Sequence, residues 1–125
     1  MQNNKIIFDC DIGCDDAVAL AGLLSNPQKE VIGITCVKGN IPVDDVVNNA
    51  LKVCELCQKQ IPVYRGCSKP MVRDLLKGRD YNTLMETIHK EIDGEEILIH
   101  EKNFSLPFPE RKAETKHACS YLVET

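Results

Sequence analysis

The sequence has no long run of charge of either sign, no apolar stretch of membrane-spanning length, and no repeat or low-complexity segment. A formal net charge of -4 at 27% charged residues leaves no basic footprint. Nucleic acid and an anionic membrane are therefore not expected as main partners. The longest apolar stretches, such as Ala17 to Leu24, are far short of the roughly 20 residues that a bilayer crossing takes. Met1-Gln2-Asn3-Asn4-Lys5 has neither the apolar core of a signal peptide nor the Arg-rich look of a transit peptide. An even, loop-spaced cysteine set is also missing: the seven cysteines are scattered, and several lie inside apolar patterns. This pattern excludes a secreted disulfide scaffold and predicts reduced thiols in a cytoplasmic setting. Cys54 and Cys57 have no second cysteine or histidine pair nearby, so helix packing is expected of them rather than zinc or redox chemistry.

What is present is the composition of one small soluble domain, 125 residues long and 43% hydrophobic. Lys5 to Asp9 reads as a short buried strand, with Ile6, Ile7 and Phe8 consecutive as in a parallel sheet. An acidic turn with Gly13 follows. Asp15 or Asp16 is expected to open a helix from Ala17 to about Leu24, which Asn26-Pro27 ends. Val31 to Val37 is a second β-branched run, closed by the turn signal Gly39-Asn40. A second helix is expected from Asp44 or Asp45, with Val46, Val47, Ala50, Leu51, Val53, Cys54 and Cys57 at helical spacing. Pro62-Val63-Tyr64 is a third, shorter strand. Beyond Met71 the pattern predicts a helix over Tyr81 to Lys90, a loop over Phe104 to Pro109 and an amphipathic helix over Arg111 to Glu124.

This alternation predicts an α/β fold, an open parallel sheet with helices on both faces. Ligands of such sheets bind at the carboxyl ends of the strands. Three polar turns, at Asp9 to Asp16, Gly39-Asn40 and Arg65-Gly66-Cys67, are expected to converge on that edge. Three short strands leave unpaired edges that need cover.

Asp9, Asp11, Asp15 and Asp16 fall within eight residues. Carboxylates packed on one turn repel unless a cation or protons compensate, and hard oxygen ligands suit Ca²⁺ or Mg²⁺. Gly13 allows the tight bend, and the helix N-terminus adds partial positive charge. Three rival readings compete. Helix capping needs one aspartate and leaves Asp9 and Asp11 unexplained. An EF-hand loop fails because the twelfth position from Asp9 is Leu20, not glutamate. A haloacid-dehalogenase-type phosphatase shares D-x-D after an apolar strand, but it usually has Thr or Val where Gly13 stands and does not need the Asp15-Asp16 pair. A metal-assisted hydrolase is the favoured reading of the residues.

The segment Asp9-Cys10-Asp11-Ile12-Gly13-Cys14-Asp15-Asp16-Ala17-Val18-Ala19 is similar to the D-x-D-P-G-x-D-D-A-x-A signature of inosine–uridine-preferring nucleoside hydrolases. Gly33-Ile34-Thr35-Cys36-Val37-Lys38-Gly39-Asn40 resembles their G-I-T-x-V-x-G-N motif. Pro62 to Pro70 resembles their third-strand segment. The resemblance implies a Rossmann-like core and Ca²⁺-dependent hydrolysis of the N-glycosidic bond of ribonucleosides. It implies Asp11 as general base and calcium ligand, Asp16 as second calcium ligand, Asp15 and Asn40 on the ribose hydroxyls, and Asp9 behind them. Ile12 replaces the usual proline, which should loosen the turn modestly. His89 is the candidate for the base-contacting histidine, His100 is a weaker one, and His117 reads as a helix-surface residue. Family members are more than twice as long, so residues 1–125 are expected to be the N-terminal part of such a domain, ending before a fourth strand. Their later segments supply further calcium ligands, and complete members are implied to form homo-oligomers. An inactive form or an interaction partner stays open beside the enzyme.

Overall fold

The computed structural model describes residues 4–72, 89–92, 94–98 and 102–125. Strand β1 (Asn4–Cys10), helix α1 (Cys14–Leu24), strand β2 (Lys29–Cys36), helix α2 (Val43–Leu56) and strand β3 (Val63–Arg65) follow one another. The strands form a parallel sheet in the order β1-β2-β3. Strands β4 (His89–Ile92) and β5 (Glu95–Leu98) make a separate antiparallel hairpin, and helix α3 (Ala118–Glu124) closes the chain.

The residue facing each side of the sheet follows from the register. Phe8, Ile34 and Val63 are aligned across the three strands, as are Thr35 with Asp9 and Tyr64 one residue on. Alternate residues point to opposite faces. Ile34 and Val63 are buried in one core with Leu20 and Leu24 of α1 and Val46, Val47, Ala50, Leu51 and Cys54 of α2. Consecutive parallel strands place both crossover helices on this face. The other face takes α3. Its Tyr121 stacks on Tyr64, with ring centroids 3.9 Å apart, and its hydroxyl donates to the Ile32 carbonyl at 3.2 Å. Ile32 is the extra residue at a register shift between Ile6 and Ile7, a bulge whose carbonyl the tyrosine takes up. Gly33 lets the ring lie flat on the sheet, because a Cβ there would stand 2.6 Å from Tyr121 Cζ. Helices thus cover both faces, as the element pattern predicts.

Both crossover helices begin a residue or two before the expected aspartates. Gly13 and Pro42 are the N-caps, and neither cap makes a side-chain hydrogen bond. The expected helix over Arg111 to Glu124 is shorter, since only Ala118–Glu124 is helical. Glu114 instead bridges Tyr64 in parallel, donating its N–H to the Val63 carbonyl at 2.8 Å. This is one isolated bridge at the outer edge of β3, and among the described residues the parallel sheet keeps its three strands. Of the helix predicted over Tyr81 to Lys90, residues 81–88 lie outside the described residues, and His89 and Lys90 are in β4 rather than a helix.

Segment 102–111 is tied along α2 by Asn49, Lys52 and Glu55, three polar residues on one helical stripe. Asn49 donates to the Lys102 carbonyl at 2.9 Å and accepts from the Phe104 N–H at 3.1 Å. Lys52 donates to the Phe104 carbonyl at 3.1 Å, and Glu55 accepts from the N–H groups of Glu110 and Arg111. Cys54 is fully buried and Cys57 packs against the core. Burial pushes the Cys54 thiol up to about 11, in keeping with packing rather than redox chemistry. Among the described residues no helix is long and apolar enough to cross a membrane.

Candidate active site

The three polar turns meet at the carboxyl edge of the sheet, joined by backbone hydrogen bonds. Val37 N–H donates to Cys10 O at 3.1 Å, Gly66 N–H to Cys36 O at 2.7 Å, and Lys38 N–H to Cys67 O at 3.1 Å. The turn after β1 is anchored from below. Ile12, which stands where the family signature has proline, is fully buried in the core, and Gly13 is buried beside it. The anchored turn leaves Asp11 exposed above the sheet edge.

Asp11 and Asp16 are brought into contact. Burial, then a hydrogen bond with the Asp11 carboxyl and the charges of Asp11 and Asp15, push the Asp16 carboxyl up from 3.8 to about 6. The Asp11 backbone N–H donates to Asp16 and pulls the other way. A carboxyl that burial and neighbouring carboxylates keep from ionising is one whose charged form a cation would favour. Neither Asp15 nor Asp16 caps α1 through its side chain. The capping reading therefore does not account for them. Asp15 is exposed in the first helical turn.

Asp11 is also seated on the second turn. A Cβ built on Gly39 would stand 2.5 Å from both Cβ and Cγ of Asp11, so only glycine allows this approach. Asn40, the next residue, is half-buried. Asp9 sits at the end of β1 and accepts from Thr35 Oγ1 at 2.6 Å. At the third turn, Arg65 pairs with Asp44 at 2.7 Å, which holds the Asp44 carboxyl below its usual range.

The five predicted site residues of the first two turns thus lie at one edge: Asp9, Asp11, Asp15 and Asp16 around the acidic turn and, beside Gly39, Asn40. His89 is not shown among them, since β4 pairs with β5 alone. His100 lies outside the described residues. His117 caps α3, its Nδ1 accepting from the Cys119 N–H at 3.1 Å. Two residues escape a reading by composition. Gly39 looks like a turn residue until Asp11 is seen against it, and Thr35 is the one hydroxyl in the apolar run of β2.

Among the described residues, no three His, Cys, Asp or Glu side chains converge closely enough to hold a metal ion. The Asp11–Asp16 pair supplies hard oxygen donors suited to Ca²⁺ or Mg²⁺, but two carboxylates alone would leave such an ion mostly to water.

An open parallel sheet with carboxylates gathered at the end of its first strand places the chain among α/β proteins that bind ligands at a strand-end crevice. Comparison with known proteins narrows the class. The family model for inosine-uridine preferring nucleoside hydrolases matches residues 6–125, and the chain belongs to that family. The phosphatase reading falls with this result. The chain is 35% identical over 127 residues to a pyrimidine-specific ribonucleoside hydrolase, RihB, of Escherichia coli strain SE11, aligning over 100% of its own length and 36% of the relative's. Among solved structures it is similar to a purine-preferring ribonucleoside hydrolase from Gardnerella vaginalis, with TM-score 0.73 and 28% identity over 97% of this chain and 35% of that one. It is also similar to a plant nucleoside hydrolase, with TM-score 0.71 and 27% identity over 98% and 35% of the two chains. The chain spans about a third of the length of the relatives it matches.

Proposed function

We propose that this chain carries the ribose- and calcium-binding half-site of a ribonucleoside hydrolase, which cleaves the N-glycosidic bond to give ribose and a free base. The observation that supports this reading is the contact between Asp11 and Asp16 above Gly39, at the edge where the three turns meet. Asp11 and Asp16 would hold Ca²⁺, whose chemistry when bound is to make a nearby water more acidic. Asp11 is the base that takes the proton from the attacking water. Asp16, whose carboxyl is pushed up to about 6 by burial and by Asp11 and Asp15, is charged above that pH and free to serve as a ligand near neutrality. Asp15 and Asn40 bind the ribose hydroxyls, and Asp9 orients the turn from behind. His89 is proposed to face the base. The transition state carries positive charge on the sugar, which a carboxylate-lined edge stabilises. The relatives divide between pyrimidine-specific and purine-preferring, so the proposed substrate is a ribonucleoside of either kind.

Ribose release from inosine and from uridine, with and without Ca²⁺, tests the reading. The expected result is calcium-dependent release that Asp11→Asn lowers by about a hundredfold or more. Calcium-independent release, or an Asp11→Asn variant as fast as the parent, would overturn it. The two-carboxylate limit favours one further outcome: saturable Ca²⁺ binding, lost in Asp16→Ala, without turnover. That result would make the folded chain a binding part, inactive alone or partnered with a complete subunit.

A further inference from the structure

We infer that Thr35 is a positioning residue for the acidic turn, acting through Asp9. Thr35 lies in β2 in register with Asp9 of β1. It is completely buried, and its Oγ1 donates to Asp9 Oδ1 at 2.6 Å. A hydroxyl inside a parallel strand is costly unless it is satisfied. Here it is satisfied by a carboxylate, in a hydrogen bond short enough to be charge-assisted.

The position of Asp9 explains what this bond does. Asp9 and Cys10 are the last two residues of β1, and their side chains leave on opposite faces. Cys10 is buried in the core, and its carbonyl accepts from Val37 N–H. Asp9 is exposed, so among the described residues no packing comparable to that of Cys10 holds it on the other face. The Thr35 hydroxyl supplies that second attachment. With both faces pinned, the end of β1 cannot twist about its axis, and Asp11 leaves it in one direction, onto Gly39 and against Asp16. Valine at position 35 preserves shape and burial but frees Asp9; serine preserves the donor.

The test compares the parent chain, Thr35→Val and Thr35→Ser in two measurements, with thermal unfolding as the fold control. In calorimetric titration with CaCl₂, Thr35→Val is expected to bind about tenfold more weakly, the lower end of the scale for losing an outer contact that orients a metal site. Thr35→Ser is expected to bind like the parent. In ¹³C NMR of the calcium-free protein, the carboxyl signals of Asp11 and Asp16 are expected to move in Thr35→Val and return in Thr35→Ser. Parent-like binding and parent-like carboxyl signals in Thr35→Val would overturn the inference. So would losses in both variants that simply follow their thermal stability. The titration rests on the proposed function, and a parent chain that binds no Ca²⁺ would count against that reading. The NMR comparison then decides the positioning role by itself. Should Thr35→Val fail to fold, the exposed Asp9→Ala takes its place, and unmoved Asp11 and Asp16 signals in that variant would overturn the inference.

Discussion

Gly39→Ala perturbs the site with one methyl group. A Cβ at this position stands 2.5 Å from Cβ and Cγ of Asp11, whereas carbon atoms in ordinary contact are about 3.5–4.0 Å apart. The two residues must therefore separate by roughly 1 Å or more, a deficit taken from the same contact distance. A rotamer change of Asp11 does not relieve the clash, because the Asp11 Cβ itself is involved and moves only with its backbone. That backbone is held by Ile12 and Gly13, both buried. Asp11 is exposed, so a small outward shift of its backbone carries the side chain into solvent without displacing the core, and the stability loss should be near the lower end of the ~1–3 kcal/mol typical of overpacking. Function should suffer more, since a displacement of about 1 Å at a reacting group can cost about a hundredfold. Urea unfolding together with Ca²⁺ titration separates the two effects. The expected result is a loss of about 1 kcal/mol in stability with at least a tenfold loss in Ca²⁺ affinity. An alanine variant with unchanged stability and unchanged affinity would show that Asp11 is not seated on Gly39.

Gly22 offers the contrasting case: it is exposed in α1, and a methyl group added there would meet no atom within 4 Å. Gly22→Ala should raise stability by about 0.5–1 kcal/mol, and a fall in the unfolding midpoint would contradict the packing described for α1. Asn49→Ala should cost about 2–3 kcal/mol, because it removes two hydrogen bonds to segment 102–111 from a fully buried side chain; proteolysis within that segment should rise, and an unchanged unfolding midpoint would count against the attachment. Asp16 is raised to about 6 from 3.8, so the folded chain keeps a proton that the unfolded chain releases. The associated stability is fully present below about pH 4 and is lost as pH rises through about 6; because Asp16 is only half-buried, the screened amount is about 1 kcal/mol or less. Urea midpoints at pH 4 and pH 7 should show this fall in the parent and lack it in Asp16→Asn, and equal slopes in the two would refute the pairing.

Local pattern was enough to read β1, α1, β2, α2 and β3, because consecutive apolar residues and helical spacing act within a few turns of chain. It was also enough to find the aspartates, which are neighbours in sequence. It misjudged the helix starts by one to three residues, since the first-turn aspartates looked like caps while Gly13 and Pro42 hold that place. It extended the last helix through Glu114, whose partner Tyr64 lies fifty residues back; no periodicity reports such a pairing. The polar stripe of Asn49, Lys52 and Glu55 likewise escaped notice, although it is what docks segment 102–111.

The amino-acid sequence by itself therefore determined the layered α/β class, the family and the acidic turn, all of which depend on short-range order along the chain. Only the tertiary structure decided which carboxylates meet, that Gly39 admits Asp11, and that Thr35 holds Asp9. The last two contacts join residues 26 and 28 positions apart, at distances set by the register of β1 on β2, while Asp11 and Asp16 are five positions apart and meet only through the fold of the turn.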